Sequence, residues 1–300
     1  MRSPGALPIM LLVTVVLVIL SSFSSNDVNA NNDEVLIVVT FPNLYKDLKH
    51  ILCRNEKLYL IVYSGLDPHN YQVSPKDVVM LRKADVVISS GHTSLEQRLK
   101  FIVEEEKILD ISTIEGIKVK LNNKTRQPNF HLFFLDPDNY IVVLSKITEK
   151  LNSINRHCTT YHLEKLAEIT KAVKEAKKRI SKINNTRKNV IASSLLLQYA
   201  IEWVGFDVKE YLVEEYKESI SLRNLKYVNN MIEKDKIDFV VIAVDEKGRP
   251  LSKLDKILLD IAQNKGISVL KINIFSSNKA TYEIINEICE VVEALGENYA

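Results

Sequence analysis

The stretch "GLDPHNYQVSPKDVVMLRKADVVISSG", residues 65–91, sets a histidine in a turn, then runs through a helix-like segment into an apolar strand. His69 follows Asp67 and Pro68, and Tyr71, Pro75 and Asp77 precede the run Val86 to Ser89. A turn histidine just ahead of a helix can direct a ring nitrogen outward while the backbone fixes the ring. Working outward, similar short runs rich in Val and Ile lie at Val35 to Thr40, Leu58 to Tyr63 and Ile108 to Asp110. They return at Asn189 to Ala192, Asp207 to Leu212, Phe239 to Val244 and Ser268 to Ile272. Apolar strands separated by helix-sized segments predict mostly parallel sheets covered on both faces.

Between the two sets, residues 139–182 contain no Gly or Pro. Leu163, Leu166, Ile169, Val173, Ala176 and Ile180 recur there at three- and four-residue steps, which predicts an amphipathic helix. Asn152 to His157 separates it from an earlier helix over Ile141 to Leu151. The expected fold is α/β: two lobes with mostly parallel sheets, bridged by one long rigid helix. The boundaries fall at an N-terminal lobe over 31–158, a connecting helix over 159–185 and a C-terminal lobe over 186–300. Lys165, Glu168, Lys171, Lys174, Glu175 and Lys178 read as the solvated face of the connector.

Residues 1–30 read as a secretory signal peptide, with an apolar run from Ala6 to Leu20 and small residues at Val28 and Ala30. An uncleaved membrane anchor is the alternative, since the run is near the lower spanning limit of about 17 residues. No cysteine stands near residue 30 to carry a bacterial lipid anchor. The formal charge of +2 comes from 40 basic and 38 acidic residues, well mixed, which excludes the basic stripe of a nucleic-acid binder. Cys53, Cys158 and Cys289 allow one disulfide in an exported chain, with the pairing left open beside three buried thiols. Asn123 and Asn184 begin glycosylation sequons, which fit surface positions.

There are six histidines. His50, His157 and His162 read as surface or helix-end residues. His92 follows a strand and so sits at a rim where ligands collect in α/β sheets. His131 stands in "NFHLFFLDPDNY", like His69 in a loop just before a helix. Two imidazoles converging from such frames make half of a transition-metal site.

These frames resemble those of a known family, the zinc- and manganese-binding solute-binding proteins of ABC importers. "DPHNYQVSPKDVVMLRKADVVISSG" is similar to its D-P-H-x-Y-x-x-x-P-x-D-x-x-x-L-x-x-A-D-x-V stretch, and "FHLFFLDPDN" to its H-x-W-x-D-P-x-N. "IASSLLLQYAIEWVGFDV" is a weaker match to S-H-x-A-F-x-Y-F-x-x-x-Y-G-L, and the likeness spans residues 34–294. The resemblance implies one metal ion held between two α/β lobes, with His69 and His131 as ligands from the first. It also implies a third ligand, His or Glu, at the position of Ser194, and an Asp at the position of Asn273. Neutral Ser and Asn oxygens are poor partners for zinc, whose protein sites use Cys, His and carboxylate. His92, Asp245, Glu246 and water are the candidates to complete the set.

The resulting expectation is a monomeric extracytoplasmic protein at the outer face of the membrane. It captures Zn²⁺ or Mn²⁺ as transported ligand and delivers it to the membrane permease of an ABC importer. Two alternatives stand beside it. The same fold could take a metal chelate or a small polar solute through Ser194 and Asn273, or the chain could be an exported enzyme using His69 and Asp67. The sequence has no nucleophile elbow, no H-E-x-x-H and no Gly-rich phosphate loop, which places the enzyme last.

Overall fold

The computed structural model describes residues 34–63, 70–123, 125–183, 188–213, 222–234, 237–276 and 278–297. The expected signal peptide, His69, Asp67 and the sequon at Asn184 lie outside the described residues.

Two four-stranded sheets carry the fold. The first is built from β1 (Val35–Val39), β2 (Glu56–Leu60), β3 (Val86–Ser89) and β4 (Ile108–Asp110), in the order β2-β1-β3-β4 and all parallel. Helices α1 (Tyr45–Ile51) and α2 (Pro75–Lys83) connect its strands. A two-residue antiparallel pair, β5 (Lys120–Leu121) with β6 (Pro128–Asn129), precedes α3 (Pro137–Ile154) and α4 (Thr159–Lys182). The second sheet holds β7 (Asn189–Ser194), β8 (Asp207–Val213), β9 (Phe239–Ala243) and β10 (Ser268–Ile272), again parallel, in the order β10-β9-β7-β8. Around it run the short α5 (Gln198–Ile201), α6 (Leu222–Lys234), α7 (Lys253–Lys265) and α8 (Thr281–Glu297). The expected α/β class, with mostly parallel sheets and one long helix, is the observed one.

The inner strands β1, β3 and β9 are apolar at nearly every step because each sheet is covered twice, whereas the edge strands β2 and β10 carry exposed Lys57 and Lys271. Ile37 and Val39 of β1 belong to a central cluster with Leu144, Val173, Ala192, Val241 and Ile285, whereas Val38 faces an outer cluster with Leu81, Val87 and Leu99. Alternate residues of β9 divide in the same way, Val241 inward and Val240 outward. The central cluster draws on both sheets, and α4 contributes Ile169, Val173, Ala176 and Ile180 to it. Leu163, expected on that apolar face, is exposed.

The C-terminal helix crosses back. α8 packs on α4, α3 and α1, all elements that precede β7. Asp47 of α1 fixes this arrangement: its carboxylate accepts from the Thr281 backbone N–H at 2.9 Å, the Thr281 hydroxyl at 2.8 Å and the Tyr140 hydroxyl. Asp47 is fully buried, and that burial pushes its carboxyl up to about 7 against the pull of these hydrogen bonds.

One disulfide closes the N-terminal half, Cys53 with Cys158, across a sequence separation of 105. Cys289 is a free, buried thiol. In the chain-entropy picture a loop of this length gives about 4–5 kcal/mol, by restricting the unfolded chain.

Candidate metal centre

The order β2-β1-β3-β4 reverses direction between β1 and β3, and the crevice beyond the carboxyl ends of such strands is where open α/β sheets bind ligands. Ser90, Gly91 and His92 leave β3 at that point. Gly91 has φ +76°, and a Cβ there would collide with the Asp110 carboxylate, so only glycine makes this turn. The loop is then pinned by Glu96. Its carboxylate accepts from the backbone N–H groups of Ser90 (2.7 Å), His92 (3.2 Å) and Thr93 (3.0 Å), and from the hydroxyls of Ser90 and Thr40. Burial alone would raise the Glu96 pKa, but these donors outweigh it and hold the carboxyl below its usual range. Nδ1 of His92 lies 3.1 Å from the Ser90 hydroxyl, which orients the ring.

His131 arrives from the other side. Its backbone N–H donates to Asn129 Oδ1 at 3.0 Å, and the next residue, Leu132, has φ +51°. A branched side chain in the left-handed region costs about 1–2 kcal/mol and persists where the surroundings over-determine it, often at functional sites. Beyond it, Asp136 caps α3 by accepting from the Asp138 and Asn139 N–H groups.

These two loops bring His92 and His131 together, with ring centroids 5.0 Å apart and planes at 82°. Two imidazoles sharing a tetrahedral ion, with nitrogen–zinc distances of about 2.0–2.1 Å, have centroids roughly 5 Å apart. The segment leaving His69 is itself anchored: Asp77 accepts from the Tyr71 hydroxyl at 2.8 Å and forms a reciprocal capping box with Ser74.

The second sheet presents different chemistry. Ser194 ends β7, is fully buried, and accepts from the Leu196 N–H. Asn273 follows β10, half-buried, with its Oδ1 accepting from the Phe275 N–H. Asp245 is bound by Arg249 through its Nε (2.7 Å) and its other guanidinium arm (2.6 Å), which hold its carboxyl down at about 2. Glu246 is exposed and accepts from the Ser276 hydroxyl. Asn129 ties the rims together: the side chain that accepts from His131 also donates to the Leu195 carbonyl and to Gln198 Oε1.

Sequence reasoning gave His162 a helix-end role, yet it is fully buried, with Nε2 2.9 Å from Glu56 Oε2 and Nδ1 2.8 Å from Asn152 Oδ1. The i, i+4 spacing of Cys158 and His162 at the start of α4 was the available signal.

The model of the family described as zinc-uptake complex component A, periplasmic, matches residues 37–283. The chain belongs to this family. It is a solute-binding protein rather than an enzyme. The metal ABC transporter substrate-binding lipoprotein SloC of Streptococcus mutans is 21% identical over 262 residues, covering 82% of this chain and 85% of that protein. The manganese ABC transporter substrate-binding lipoprotein PsaA of Streptococcus mitis is 25% identical over 214 residues, covering 66% and 68%. Among solved structures, the solute-binding protein FpvC of Pseudomonas aeruginosa, in complex with Mn²⁺, superposes with a TM-score of 0.70 at 17% identity, over 88% of this chain and 99% of that one. At that identity the structural likeness is one of fold.

Proposed function

We propose that this chain is an extracytoplasmic solute-binding protein that captures a divalent transition metal, zinc or manganese, and passes it to the membrane permease of an ABC importer. His92 and His131 hold the ion from one rim, with His69, the residue before Asn70 in the sequence, as a further ligand. The single observation that carries this reading is the imidazole pair at 5.0 Å on the switch-point rim of the first sheet. No helix among the described residues is long and apolar enough to cross a membrane.

The test is calorimetric titration of Zn²⁺ and Mn²⁺ into metal-free protein, with His131→Ala as control. Saturation at one ion for wild type and its loss in the variant support the reading; equal binding by both overturns it. A second reading has its own support. Ser194 and Asn273 bring no charge, and Asp245 is already paired with Arg249, so an ion that carries its own anionic ligands suits the second rim. Titration with zinc citrate beside bare zinc separates the two: tighter binding of the chelate favours this second cargo.

A further inference from the structure

Cys53, Glu56, Cys158 and His162 lie at the opposite edge of the first sheet from the histidine rim, because Glu56 begins β2 whereas His92 follows the end of β3. One ligand atom from each of the four lies within 4.8 Å of all the others. Cys53 and Glu56 flank a tight turn, and Cys158 and His162 stand one helical turn apart, so two short segments present the four groups to one point.

A disulfide alone does not account for its neighbours. His162 and Glu56 have fully buried side chains 2.9 Å apart, and such a dry polar pair is weak as a source of stability. Their surroundings match those of a zinc site: Nδ1 of His162 is oriented by Asn152, so Nε2, which here meets Glu56 Oε2 at 2.9 Å, is the nitrogen that can turn to a metal. Glu56 accepts from the Cys53 N–H at 2.9 Å and from the Asn155 amide at 3.0 Å, and the same amide nitrogen sits 3.3 Å from Cys158 Sγ. Two thiolates, one imidazole and one carboxylate form a tetrahedral donor set typical of zinc, whose ligand atoms stand roughly 3.3–3.8 Å apart.

We infer that the Cys53–Cys158 disulfide guards a second, thiol-gated metal site, which takes Zn²⁺ or another thiophilic divalent ion once the bond is reduced. The chemistry balances with a dithiol as reductant. Two electrons and two protons pass from the dithiol to the disulfide, which gives two protein thiols and an oxidised dithiol. The ion then displaces both thiol protons, and the proton between His162 Nε2 and Glu56 Oε2 leaves as those atoms turn to the metal. Cys53 is half-buried, which gives a small thiol an approach to the bond.

The full chain is reduced with a dithiol, freed of it without oxygen, and titrated with Co²⁺ beside the oxidised protein. The thiolate-to-cobalt charge-transfer band is the readout, since the histidine rim carries no cysteine and is silent in it. The band is expected in reduced protein, one ion per chain, and absent in oxidised protein. Cys289→Ser should keep the band, Cys158→Ser should lose it, and His162→Ala should weaken the ion by at least about tenfold. Far-UV circular dichroism follows folding throughout. No band in folded, reduced protein overturns the inference, as does unchanged affinity in His162→Ala. A reduced chain that unfolds and is not refolded by cobalt overturns it equally.

Discussion

The two sheets share one topology and differ in what they offer a ligand. Read as β2-β1-β3-β4 and β8-β7-β9-β10, they place their strands in the same sequential order, and each reverses between its first and third strand. Each also sets a buried carboxylate against the end of its third strand: Glu96 holds the loop from Ser90 to Thr93, and Asp255 accepts from the N–H of Ala243, the last residue of β9, at 2.9 Å. Yet one loop delivers His92 to His131, whereas the other delivers Asp245 to its own Arg249. Hydrophobic pattern sets the architecture of both halves; a few rim residues decide which half does chemistry.

The sharpest way to break this comparison is to remove one group from each rim. His92→Ala and His131→Ala should each weaken zinc about 100-fold, roughly 2.7 kcal/mol, while Asp245→Ala should change it less than about threefold. Calorimetry on the three variants decides it, and a large loss in Asp245→Ala would mean that the Arg249 pair opens to take the ion.

Next come the two pinning carboxylates. Glu96→Gln and Asp255→Asn each leave backbone donors without an anionic acceptor and should destabilise by about 1–3 kcal/mol. Only Glu96→Gln should also weaken metal binding, because its loop carries His92. Denaturant melts and titrations of both variants separate the shared effect from the specific one. Equal metal affinity in the two would detach loop order from the site.

A smaller effect runs the other way. Ser194→His together with Asn273→Asp gives the second rim a third imidazole and an anion, and should raise zinc affinity at least about tenfold, or 1.4 kcal/mol. No gain would show that the second rim stands too far from the imidazole pair to share its ion.

The contrast also explains what could be read from sequence. The strand at Val86 to Ser89 matches its run residue for residue, because burial on both faces writes an unbroken apolar signal, and the partly buried edge strands Ile108 to Asp110 and Ser268 to Ile272 match theirs as well. The long helix was equally plain: Thr159–Lys182 carries its buried face at helical spacing. Contacts made across long separations left no such trace. Nothing local joins Cys53 to Cys158, Glu56 to His162 or Asp47 to Thr281, and β5 and β6 are too short for any period. His92 was legible only as a rim histidine, since its pairing with His131 depends on how two loops meet.

Asp47 gives the last test, on the seam between the halves. Its folded pKa is raised from 3.8 to about 7, chiefly by burial, so between those values the folded chain binds a proton that the unfolded chain has released. More protons bound in the folded state means that stability falls as pH rises. This group's contribution is fully present below about 4 and is lost progressively up to about 7, at no more than about 1.4 kcal/mol per pH unit. Asp47→Asn cannot titrate, so the stability difference between wild type and variant should shrink across that window and level off above it. Chemical denaturation at half-unit pH steps measures the difference directly. A difference that instead grows with pH would show an ionised carboxylate throughout, with the hydroxyls of Tyr140 and Thr281 and the Thr281 N–H stabilising the charge more than burial disfavours it.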